Sequence, residues 1–552
     1  MGNLAVRPNT ADAPSRDTHE VSRHADRAHK FAQIWTGIWF AALSALIVAS
    51  IVTTGGKLIY SLDDPYIHMA LAETILQGGY GVNPNQLASP SSSILYPLFL
   101  TVPEAIGLGT WGPLILNSIA AGLSVWIILS FFWTRVVPPE NGLASWFPNL
   151  MAALLIFSVS GLALPMTGME HVLHVLVVVA TLRGLAEVAD GRRMPPWLIA
   201  VVILLPLLRF EGVALALLSL AAIALAGHWR WAFTGAVGVI GSLVAYAGLM
   251  SSLGLPIVPS SVLVKSDVAE SAYSGTFSVF LGMAINLADS LVNERMGVVL
   301  ALAAAALIVA TPHRRYVLAY LRTPEAIVSL PAAIALIGHI LGSRYGGFFR
   351  YEVYAVTIVV MAAIYLAGPW MRACIRDGAA AKLLGAIGLM GVLAAPYAVA
   401  TAKTPLAAFR IYAQQYQMHR FATEFFQRPI GVNDLGWVSY GNKEFVLDLW
   451  GLGSERVRKL RVRGNWDAES MDRVAREAGI AYAMIYPKWF GGTVPDAWCR
   501  VADLVTPSVP KPRNVVGIYA VKDQSAPKLR KALEQFAPTL PSATTLREKA
   551  CE

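Results

Sequence analysis

The sequence is poor in charge and in cysteine, and both deficits narrow the class of protein. Only 14% of its 552 residues are charged and 55% are hydrophobic, whereas soluble domains carry about 25% charged residues. The three cysteines form no CxxC pair and no metal-ligand spacing, so they say little about redox compartment. The sequence also lacks an internal repeat, and no matching pair of broken helices of the kind found in many transporters is evident.

Long apolar runs stand where charge is missing. About 20 apolar residues cross a bilayer as a helix, and only helices pair every backbone group within such a run. Hydropathy predicts about eleven transmembrane helices, near residues 34–54, 112–133, 147–164, 171–187, 196–208, 212–227, 231–250, 296–311, 325–341, 351–367 and 383–401. The predicted fold is therefore an all-α polytopic membrane domain, residues 34–402.

Two segments need separate treatment. The apolar stretch 92–108 is interrupted by Pro97 and Pro103, which favours an interfacial or re-entrant segment over a full span. The segments 196–208 and 212–227 are short, and they fit either one long helix or two helices that meet inside the membrane.

At the N-terminal end, residues 1–33 are polar and are predicted as a cytoplasmic tail. The first apolar run is long for a signal peptide and lacks a clear cleavage site, so we expect it to be retained as a span.

The basic residues predict the orientation. The pI of about 9.4 could suggest nucleic acid, but Lys and Arg lie in short loops rather than in one stripe with aromatics, so no nucleic-acid partner is expected. With a cytoplasmic N-terminus, the inner loops contain Arg135, Arg192, Arg193, Arg230, Arg314, Arg315, Arg322, Arg372, Arg376 and Lys382. The outer loops up to residue 402 contain only Lys57, Arg209, Lys265, Arg295, Arg344 and Arg350. This bias fits the positive-inside rule, and an odd number of spans places residues 403–552 outside.

The segment 403–552 differs in character from the rest of the chain. It is polar, and residues 468–478 have the pattern of an amphipathic helix that ends at a glycine. Residues 481–486 and 515–521 have the pattern of buried strands. We expect a small extracytoplasmic α/β domain.

The first outer loop, residues 55–111, contains two adjacent carboxylates. Pro65 fits the first turn of a helix, which makes Asp64 its N-cap and explains that residue without chemistry. The helix is expected to rest on the membrane surface through one apolar face. Asp63 has no such explanation, and a carboxylate there suits a general base for an acceptor hydroxyl or a ligand of a divalent cation. We therefore expect Asp63 to contribute more to turnover than Asp64.

Other ionisable residues map to the same side, each with a structural alternative. Glu170 fits a capping box with Thr167. Arg209 and Glu211 lie between the two short helices, where an ion pair could close the junction; charge at membrane depth otherwise indicates function. Lys265 fits a solvated loop lysine equally well.

Two further arginines precede a span on the outer side. Arg344 and Arg350 are each followed by tyrosine, a combination that also suits anchoring at the membrane interface. Six residues apart on a continuous helix, they would point to different sides, so only one is expected to face a cavity. The four cations Arg209, Lys265, Arg344 and Arg350 are candidates to hold a lipid phosphate, with Arg209 first.

At this point the pattern resembles the GT-C superfamily of membrane glycosyltransferases. The residues that carry the resemblance are Asp63-Asp64-Pro65-Tyr66-Ile67-His68, Ser89-Pro90-Ser91 through Tyr96-Pro97, Arg209-Phe210-Glu211-Gly212, Leu255-Pro256 through Lys265, Arg344-Tyr345, Asn433-Asp434-Leu435-Gly436 and Val446 through Leu452. The sequence departs from the superfamily pattern in three places. Phe210 replaces a usual proline, and Pro259-Ser260-Ser261 lacks an asparagine-threonine pair. The Trp-Trp-Asp motif is also missing, which argues against oligosaccharyltransferase activity. Within the superfamily, the mycobacterial terminal arabinofuranosyltransferases are the most similar.

The resemblance implies a function and its partners. It implies transfer of a sugar, arabinofuranose in that subgroup, from a polyprenyl-phosphate donor to a glycan, glycolipid or glycoprotein of the cell envelope, at the outer face of a bacterial inner membrane. Asp63 and Asp64 would be catalytic. The substrate-binding set would be His68, Glu170, Arg209, Glu211, Lys265, Arg344 and Arg350. No cofactor is certain, although adjacent aspartates allow a divalent cation.

Two other classes of function fit parts of the pattern. A transporter or flippase of lipid-linked sugars would need ionisable residues on both sides of the membrane midplane, whereas the candidate residues cluster on one side. A non-catalytic envelope assembly protein with a sensor domain would not need Asp63.

Overall fold

The structure is a computed structural model that describes residues 16–265, 276–312 and 314–551. It consists of a helical part followed by an α/β domain. The helices of the first part are α1 (Arg16–Thr53), α2 (Asp64–Leu76), α3 (Tyr96–Ala105), α4 (Trp111–Val136), α5 (Trp146–Ser158), α6 (His171–Ala189), α7 (Pro196–Leu208), α8 (Gly212–Leu225), α9 (Trp229–Ser252), α10 (Ser260–Lys265), α11 (Thr276–Val292), α12 (Arg295–Val309), α13 (Val317–Leu321), α14 (Pro324–Gly342), α15 (Val353–Arg376) and α16 (Ala380–Ala413).

Each of the eleven predicted apolar segments falls on a helix, which confirms an all-α polytopic membrane domain. Within the described residues, seven helices are long and apolar enough to cross a membrane: α1, α4, α6, α9, α14, α15 and α16. Helices α5, α7 and α8 are apolar but shorter, and α11 and α12 form a pair bent by 101°. Residues 209–211 separate α7 from α8, so this region forms two helices rather than one. The 92–108 segment contributes only the ten-residue α3.

Helix α11 is absent from the sequence prediction, which treats this region as a loop. Its polar residues lower its hydropathy, yet the structure gives them partners. The Asn286 amide donates to the carbonyls of Ile340 and Ser343 at 3.0 and 3.1 Å, and the Ser290 hydroxyl donates to that of Ile340. These bonds satisfy carbonyls at the C-terminal end of α14, which a helix otherwise leaves unpaired.

The two ends of the membrane domain also differ from their expected boundaries. Helix α1 already runs from Arg16, so part of the polar segment before residue 34 continues the first span as a helix. Helix α16 runs without a break to Ala413, beyond the expected boundary at 402. Hydropathy locates the apolar part of a helix, whereas the hydrogen-bonded backbone continues into polar sequence.

Helix α2 lies between two cores rather than against a single surface. Tyr66 and Met69 pack in the core of the membrane domain, whereas Ile67 and Ala70 pack in the core of the C-terminal domain. The expectation of one apolar face resting on the membrane is therefore too narrow. A helix with apolar residues all round is buried, and the second covering surface comes from sequence more than 350 residues away.

The C-terminal domain contains one six-stranded sheet in the order β2-β1-β3-β5-β4-β6. Strand β1 pairs in parallel with β2 and β3, and the remaining pairs are antiparallel. Its elements are α17 (Gln415–Arg420), β1 (Ile430–Val432), α18 (Gly436–Ser439), β2 (Val446–Asp448), α19 (Glu455–Val462), α20 (Ala468–Glu477), β3 (Tyr482–Ile485), β4 (Cys499–Val505), β5 (Val515–Ala520), α21 (Ala526–Phe536) and β6 (Thr545–Glu548). The predicted helix and both predicted strands are confirmed as α20, β3 and β5. Asp467 and Ser470 form a capping box, and Gly479 follows the helix with φ 70°.

A disulfide joins Cys499, at the start of β4, to Cys551 beyond β6. It fastens the last strand to the sheet across a sequence separation of 52 residues. The spacing of three cysteines gave no indication of this pair, because only the sheet order brings the two ends together. Structural disulfides form and persist in oxidising compartments, which supports the expected outer location of this domain.

We expect the C-terminal domain to be outside and the loop after α6 inside. Because Cys499 is disulfide-bonded, the test uses single cysteines at exposed sites, Glu469→Cys in α20 and Arg193→Cys after α6. A membrane-impermeant maleimide added to intact cells should label the first, and should label the second only after permeabilisation. The opposite pattern would reverse the topology. The wild-type chain, with Cys374 buried and the other two cysteines paired, is the unlabelled control.

Glu73 of α2, whose carboxylate contacts the C-terminal domain, should make the stability of the protein depend on pH. Burial raises the pKa of Glu73 to about 7, Glu104 adds to the rise, and the Gly441 N–H that the carboxylate accepts opposes it. Between the ordinary pKa of a glutamate and pH 7, the folded protein therefore binds one proton more than the unfolded chain. The free energy of unfolding consequently falls as the pH rises through that window. Glu73→Gln should be more stable than wild type at pH 8, by on the order of 1 kcal/mol after solvent screening, and not at pH 4.

Thermal unfolding of the purified protein at both pH values measures this difference. Glu534→Gln, at an exposed position on α21, is the matched control and should change neither midpoint. An equal stability difference between Glu73→Gln and wild type at pH 4 and pH 8 would exclude a titrating Glu73 as the cause.

Candidate active site

A cavity of about 430 Å³ opens where several helices of the membrane domain end. Its wall combines the start of α6, the α7–α8 junction, the end of α14 and the segment that leads into α15. Its charged and polar lining residues include Ser92, His171, Arg209, Glu211, His339, Arg344, Arg350 and Tyr351. Apolar residues supply most of the remaining wall, so charges inside it are weakly screened.

Arg209 occupies the break between α7 and α8 and is held by two carboxylates. Its Nη1 donates to Glu170 at 2.6 Å and its Nη2 donates to Glu211 at 2.5 Å. The Glu170 side chain is fully buried, and the Arg209 side chain is 6% exposed. An arginine among apolar helices is costly unless paired. Here two carboxylates pair with its terminal nitrogens, while its Nε has no hydrogen-bond partner within the described residues. The structure thus contains the ion pair between Arg209 and Glu211 that the structural alternative predicts.

Glu170 also connects the Asp-Asp loop to this ion pair. It accepts a hydrogen bond from the Ser92 hydroxyl at 2.8 Å, and His68 Nε2 lies 3.4 Å away. The other ring nitrogen of His68 lies 3.0 Å from the Ser91 hydroxyl. The capping box expected for Thr167 and Glu170 is wrong, because Thr167 donates to the Leu164 carbonyl and Glu170 turns to Arg209 instead.

Arg350 joins the cavity to the first outer loop. Its Nη2 donates to Asp64 at 2.8 Å and to the Tyr351 hydroxyl at 2.9 Å. The side chain is 4% exposed, and its Nε and Nη1 have no hydrogen-bond partner within the described residues. Two buried donor nitrogens of a permanently charged residue in the cavity lining are thus unsatisfied.

A left-handed stretch of backbone holds Arg350 in place. Four consecutive residues have positive φ: Gly346 at 85°, Gly347 at 54°, Phe348 at 68° and Phe349 at 61°. For each phenylalanine this conformation costs about 1–2 kcal/mol. Phe349 offsets part of this cost by packing on Tyr397 with ring centroids 6.0 Å apart. Strain that persists in this way is concentrated at functional sites.

This stretch also corrects an expectation about the two arginines that flank it. Residues 343–352 precede α15 rather than form a continuous helix, so their six-residue spacing does not send them to different sides. Arg344 and Arg350 both line the cavity.

Asp63 faces the C-terminal domain. Its Oδ2 accepts the Gly436 N–H at 2.8 Å and its Oδ1 accepts the Trp437 N–H at 2.9 Å. Burial raises the pKa of the Asp63 carboxyl well above its ordinary value, and the nearby Asp434 carboxyl adds to this, while the two N–H groups oppose it. A Cβ on Gly436 would lie 2.1 Å from the Asp63 carbonyl oxygen, so glycine is required at this contact.

The cap role expected for Asp64 is wrong. Helix α2 begins at Asp64 and Asp63 stands at its N-cap, with no side-chain cap bond. The carboxylate of Asp64, 27% exposed, is used by Arg350 instead. The basis for ranking Asp63 above Asp64 is therefore removed. The sequence placed both on the correct loop, but the direction of each side chain depends on partners far along the chain.

The structure brings most of the sequence-predicted residues together. His68, Glu170, Arg209 and Glu211 form one connected cluster, and Asp64 with Arg350 adjoins it through Tyr351. Lys265 ends α10, whose Ser261 and Val262 line the cavity, but its side chain lies outside the described residues. No group of three or more His, Cys, Asp and Glu residues disposed to hold a metal occurs in the part of the chain that the structure describes.

Sequence reasoning missed several residues of the cavity wall. His171, His339 and Tyr354 line the cavity. Each lies in an apolar segment that the sequence predicts only as a transmembrane helix. His339 Nδ1 lies 3.0 Å from the Tyr354 hydroxyl, whereas the Nε2 of His339 is buried without a hydrogen-bond partner within the described residues. Ionisable residues within membrane helices are rare and usually functional, which is the signal that could have identified both histidines.

Comparisons with known proteins add the following findings. A family described as a domain of unknown function (DUF8728) matches residues 407–523, in the C-terminal part. No curated protein matches the sequence. Among solved structures, ArnT from Cupriavidus metallidurans is similar in the apo state (16% identity, TM-score 0.44) and bound to undecaprenyl phosphate (14%, 0.47), each covering 89% of this chain and 99% of that one. An oligosaccharyltransferase from Archaeoglobus fulgidus is similar at 11% identity and TM-score 0.41, over 92% of this chain and 76% of that one.

The contact between Asp63 and Gly436 should be intolerant of even one methyl group. Gly436→Ala forces the new Cβ against both the backbone and the carboxylate of Asp63, and overpacking of this kind costs about 1–3 kcal/mol. We expect a lower thermal midpoint and faster proteolytic release of the C-terminal domain. Gly388→Ala, where a Cβ meets open space within α16, is the matched control; equal behaviour of the two variants would refute a tight contact.

Proposed function

We propose that this protein is a GT-C-type glycosyltransferase that takes a sugar from a polyprenyl-phosphate donor at the outer face of the membrane. The observation that carries the proposal is Arg350. This buried guanidinium belongs to the cavity lining, pairs with Asp64 through one nitrogen and has two further nitrogens without a hydrogen-bond partner within the described residues. A phosphate-binding cation and a carboxylate able to accept a proton are thereby adjacent.

The donor phosphate would bind at Arg350, with Arg344 on the same wall. Arginine donors bind phosphate oxygens by charge-assisted hydrogen bonds. Arg209, the first candidate on sequence grounds, has both terminal nitrogens engaged by Glu170 and Glu211. It would act by fixing the position of Glu170 and of the α7–α8 junction, rather than by taking the phosphate.

Asp64 is our candidate for the general base. Its carboxylate is partly exposed and lies against Arg350, whereas both oxygens of Asp63 are used by backbone N–H groups. In the proposed step, Asp64 accepts the proton of an acceptor hydroxyl as that oxygen bonds to the anomeric carbon. The bond from this carbon to the phosphate oxygen breaks, and the polyprenyl phosphate leaves with the electron pair, stabilised by the arginines.

The identities of donor sugar and acceptor rest on the motif resemblance alone. That resemblance favours arabinofuranose carried on decaprenyl phosphate, with a glycan, glycolipid or glycoprotein of the cell envelope as acceptor. A bacterial inner membrane location, with the N-terminus cytoplasmic, belongs to the same proposal.

The alternative, a transporter or flippase, requires a path between the two membrane faces. Below the cavity, α6 and α15 are closely packed, with Val178, Val179, Val356 and Val360 all fully buried. This close packing leaves no path for water or ions between these two helices. The packing therefore favours the transferase.

Asp64 should matter more for turnover than Asp63. Asp64→Asn removes the proton acceptor and should lower kcat by about 100-fold or more, the usual scale for a general base. Asp63→Asn retains one acceptor oxygen for α18 and should act mainly through stability. Transfer of radiolabelled sugar from decaprenyl-phosphate arabinofuranose in proteoliposomes, with thermal unfolding alongside, separates the two. Normal turnover of Asp64→Asn with an inactive but stable Asp63→Asn would reverse the assignment.

Donor binding should depend on the guanidinium of Arg350. Arg350→Lys keeps the charge but loses the planar donor set, so we expect affinity for decaprenyl phosphate to fall about tenfold. Direct binding of decaprenyl phosphate, measured by native mass spectrometry, needs no knowledge of the sugar. Arg295→Lys, at the exposed start of α12, is the control. Unchanged binding by a folded Arg350→Lys protein would remove Arg350 from the phosphate site.

A further inference from the structure

A second cavity, of about 830 Å³, lies at the opposite end of the membrane domain. On α6, His171 lines the candidate active site and Glu187 lines the second cavity, 16 residues or about 24 Å further along the helix. On α15, Tyr354 and Arg372 are related in the same way, about 27 Å apart. These separations approach the thickness of a hydrocarbon core, so the two cavities belong to opposite faces of the membrane.

The second cavity has an excess of positive charge. Five arginines and only two carboxylates line it, namely Arg135, Arg183, Arg192, Arg372, Arg376, Glu187 and Asp190. The carboxylates are already used, because Asp190 pairs with Arg135 and Glu187 pairs with Arg183. A third pair, between Arg376 and Glu140, is more than half exposed on both sides and contributes little.

Arg192 and Arg372 therefore remain without a carboxylate. Within the described residues, neither side chain forms an ion pair. Arg372 donates through Nη2 to the Thr134 carbonyl, and its Nε is buried with no partner. A buried charged donor left unsatisfied is expensive, and an anion in the cavity would remove that cost.

Aromatic residues form part of the wall of the second cavity. Trp126 and Trp197 contribute to its wall, and Trp197 is 42% exposed at the start of α7. His29 of α1 stacks on Trp126 with ring centroids 5.5 Å apart. Tryptophan is enriched at the level of lipid headgroups, where its ring meets both acyl chains and water. The ligand that matches this combination has an anionic head and a lipophilic body.

We propose that the second cavity binds the phosphate headgroup of an anionic phospholipid, with Arg192 and Arg372 contacting the phosphate and the acyl chains passing the two tryptophans. Basic pockets between transmembrane helices bind headgroups of this type. Because α1, α4, α6, α7 and α15 all contribute to the wall, the bound lipid would hold the inner ends of these helices together. This proposal is independent of the reaction at the outer face.

Binding of defined lipids to the full-length protein tests the proposal. The probes are phosphatidylglycerol, phosphatidylcholine and inorganic phosphate, added to delipidated protein in neutral detergent and measured by native mass spectrometry and thermal unfolding. Phosphatidylglycerol should bind and raise the unfolding midpoint, whereas phosphatidylcholine should do so much less. Removing both charges in Arg192→Gln/Arg372→Gln should weaken phosphatidylglycerol binding about thirtyfold, because each basic residue near an anionic lipid contributes about fivefold.

Matched variants keep the test decisive. Arg314→Gln/Arg315→Gln removes two exposed arginines from the same predicted face and should bind phosphatidylglycerol like wild type. Because Arg372 also supports Thr134, the exposed Arg192→Gln alone serves if the double variant does not fold, with about fivefold weaker binding expected. If inorganic phosphate stabilises the protein as much as phosphatidylglycerol does, the lipid is not the ligand, and the site binds a soluble phosphate group. Equal phosphatidylglycerol binding by cavity and control variants would overturn the site itself.

Discussion

Charge buried among apolar helices has to be neutralised nearby, and the candidate active site follows from this constraint. Arg209 alone would destabilise the break between α7 and α8, and Glu170 and Glu211 make that break tolerable. The same Glu170 then fixes Ser92 and lies beside His68, so the Asp-Asp loop is positioned by an ion pair formed elsewhere. Arg350 and Asp64 repeat the arrangement, but two nitrogens of Arg350 have no hydrogen-bond partner within the described residues, compared with one of Arg209.

The two adjacent aspartates have different structural roles because they face different parts of the protein. Asp63 accepts backbone N–H groups from α18 in the C-terminal domain, whereas Asp64 meets Arg350 at the start of α15. Helix α2, which begins at Asp64, packs into both hydrophobic cores. The C-terminal domain is thus in direct contact with the loop that carries the proposed catalytic carboxylate, and changes at Gly436 and at Asp63 are expected to affect one another.

Sequence patterns predicted the helices well and the contacts only in part. Apolar length alone located the spans, and charge at membrane depth singled out Arg209 and Glu211, which the structure pairs at the wall of the cavity. Local rules failed where a distant partner decided the outcome: Asp64 satisfied the preferences of an N-cap, but its carboxylate turned to a residue 286 positions away. The spacing of Arg344 and Arg350 misled for a related reason, since the left-handed turn between them is not encoded by helical periodicity. Helix α11 and the disulfide were missed because each depends on tertiary partners.

Helix α16 has a consequence for how the two parts of the protein cooperate. It runs unbroken over 34 residues, about 50 Å, and leads directly into the C-terminal domain. A domain joined by a flexible linker would sample many positions and would lose that freedom each time it docked on α2. A rigid helical connection removes most of those positions in advance, so docking costs little conformational entropy. The effective concentration of α18 at Asp63 is therefore set by a helix of fixed length. An insertion or deletion near residue 413 would rotate the C-terminal domain by about 100° per residue, out of register with its binding surface on α2.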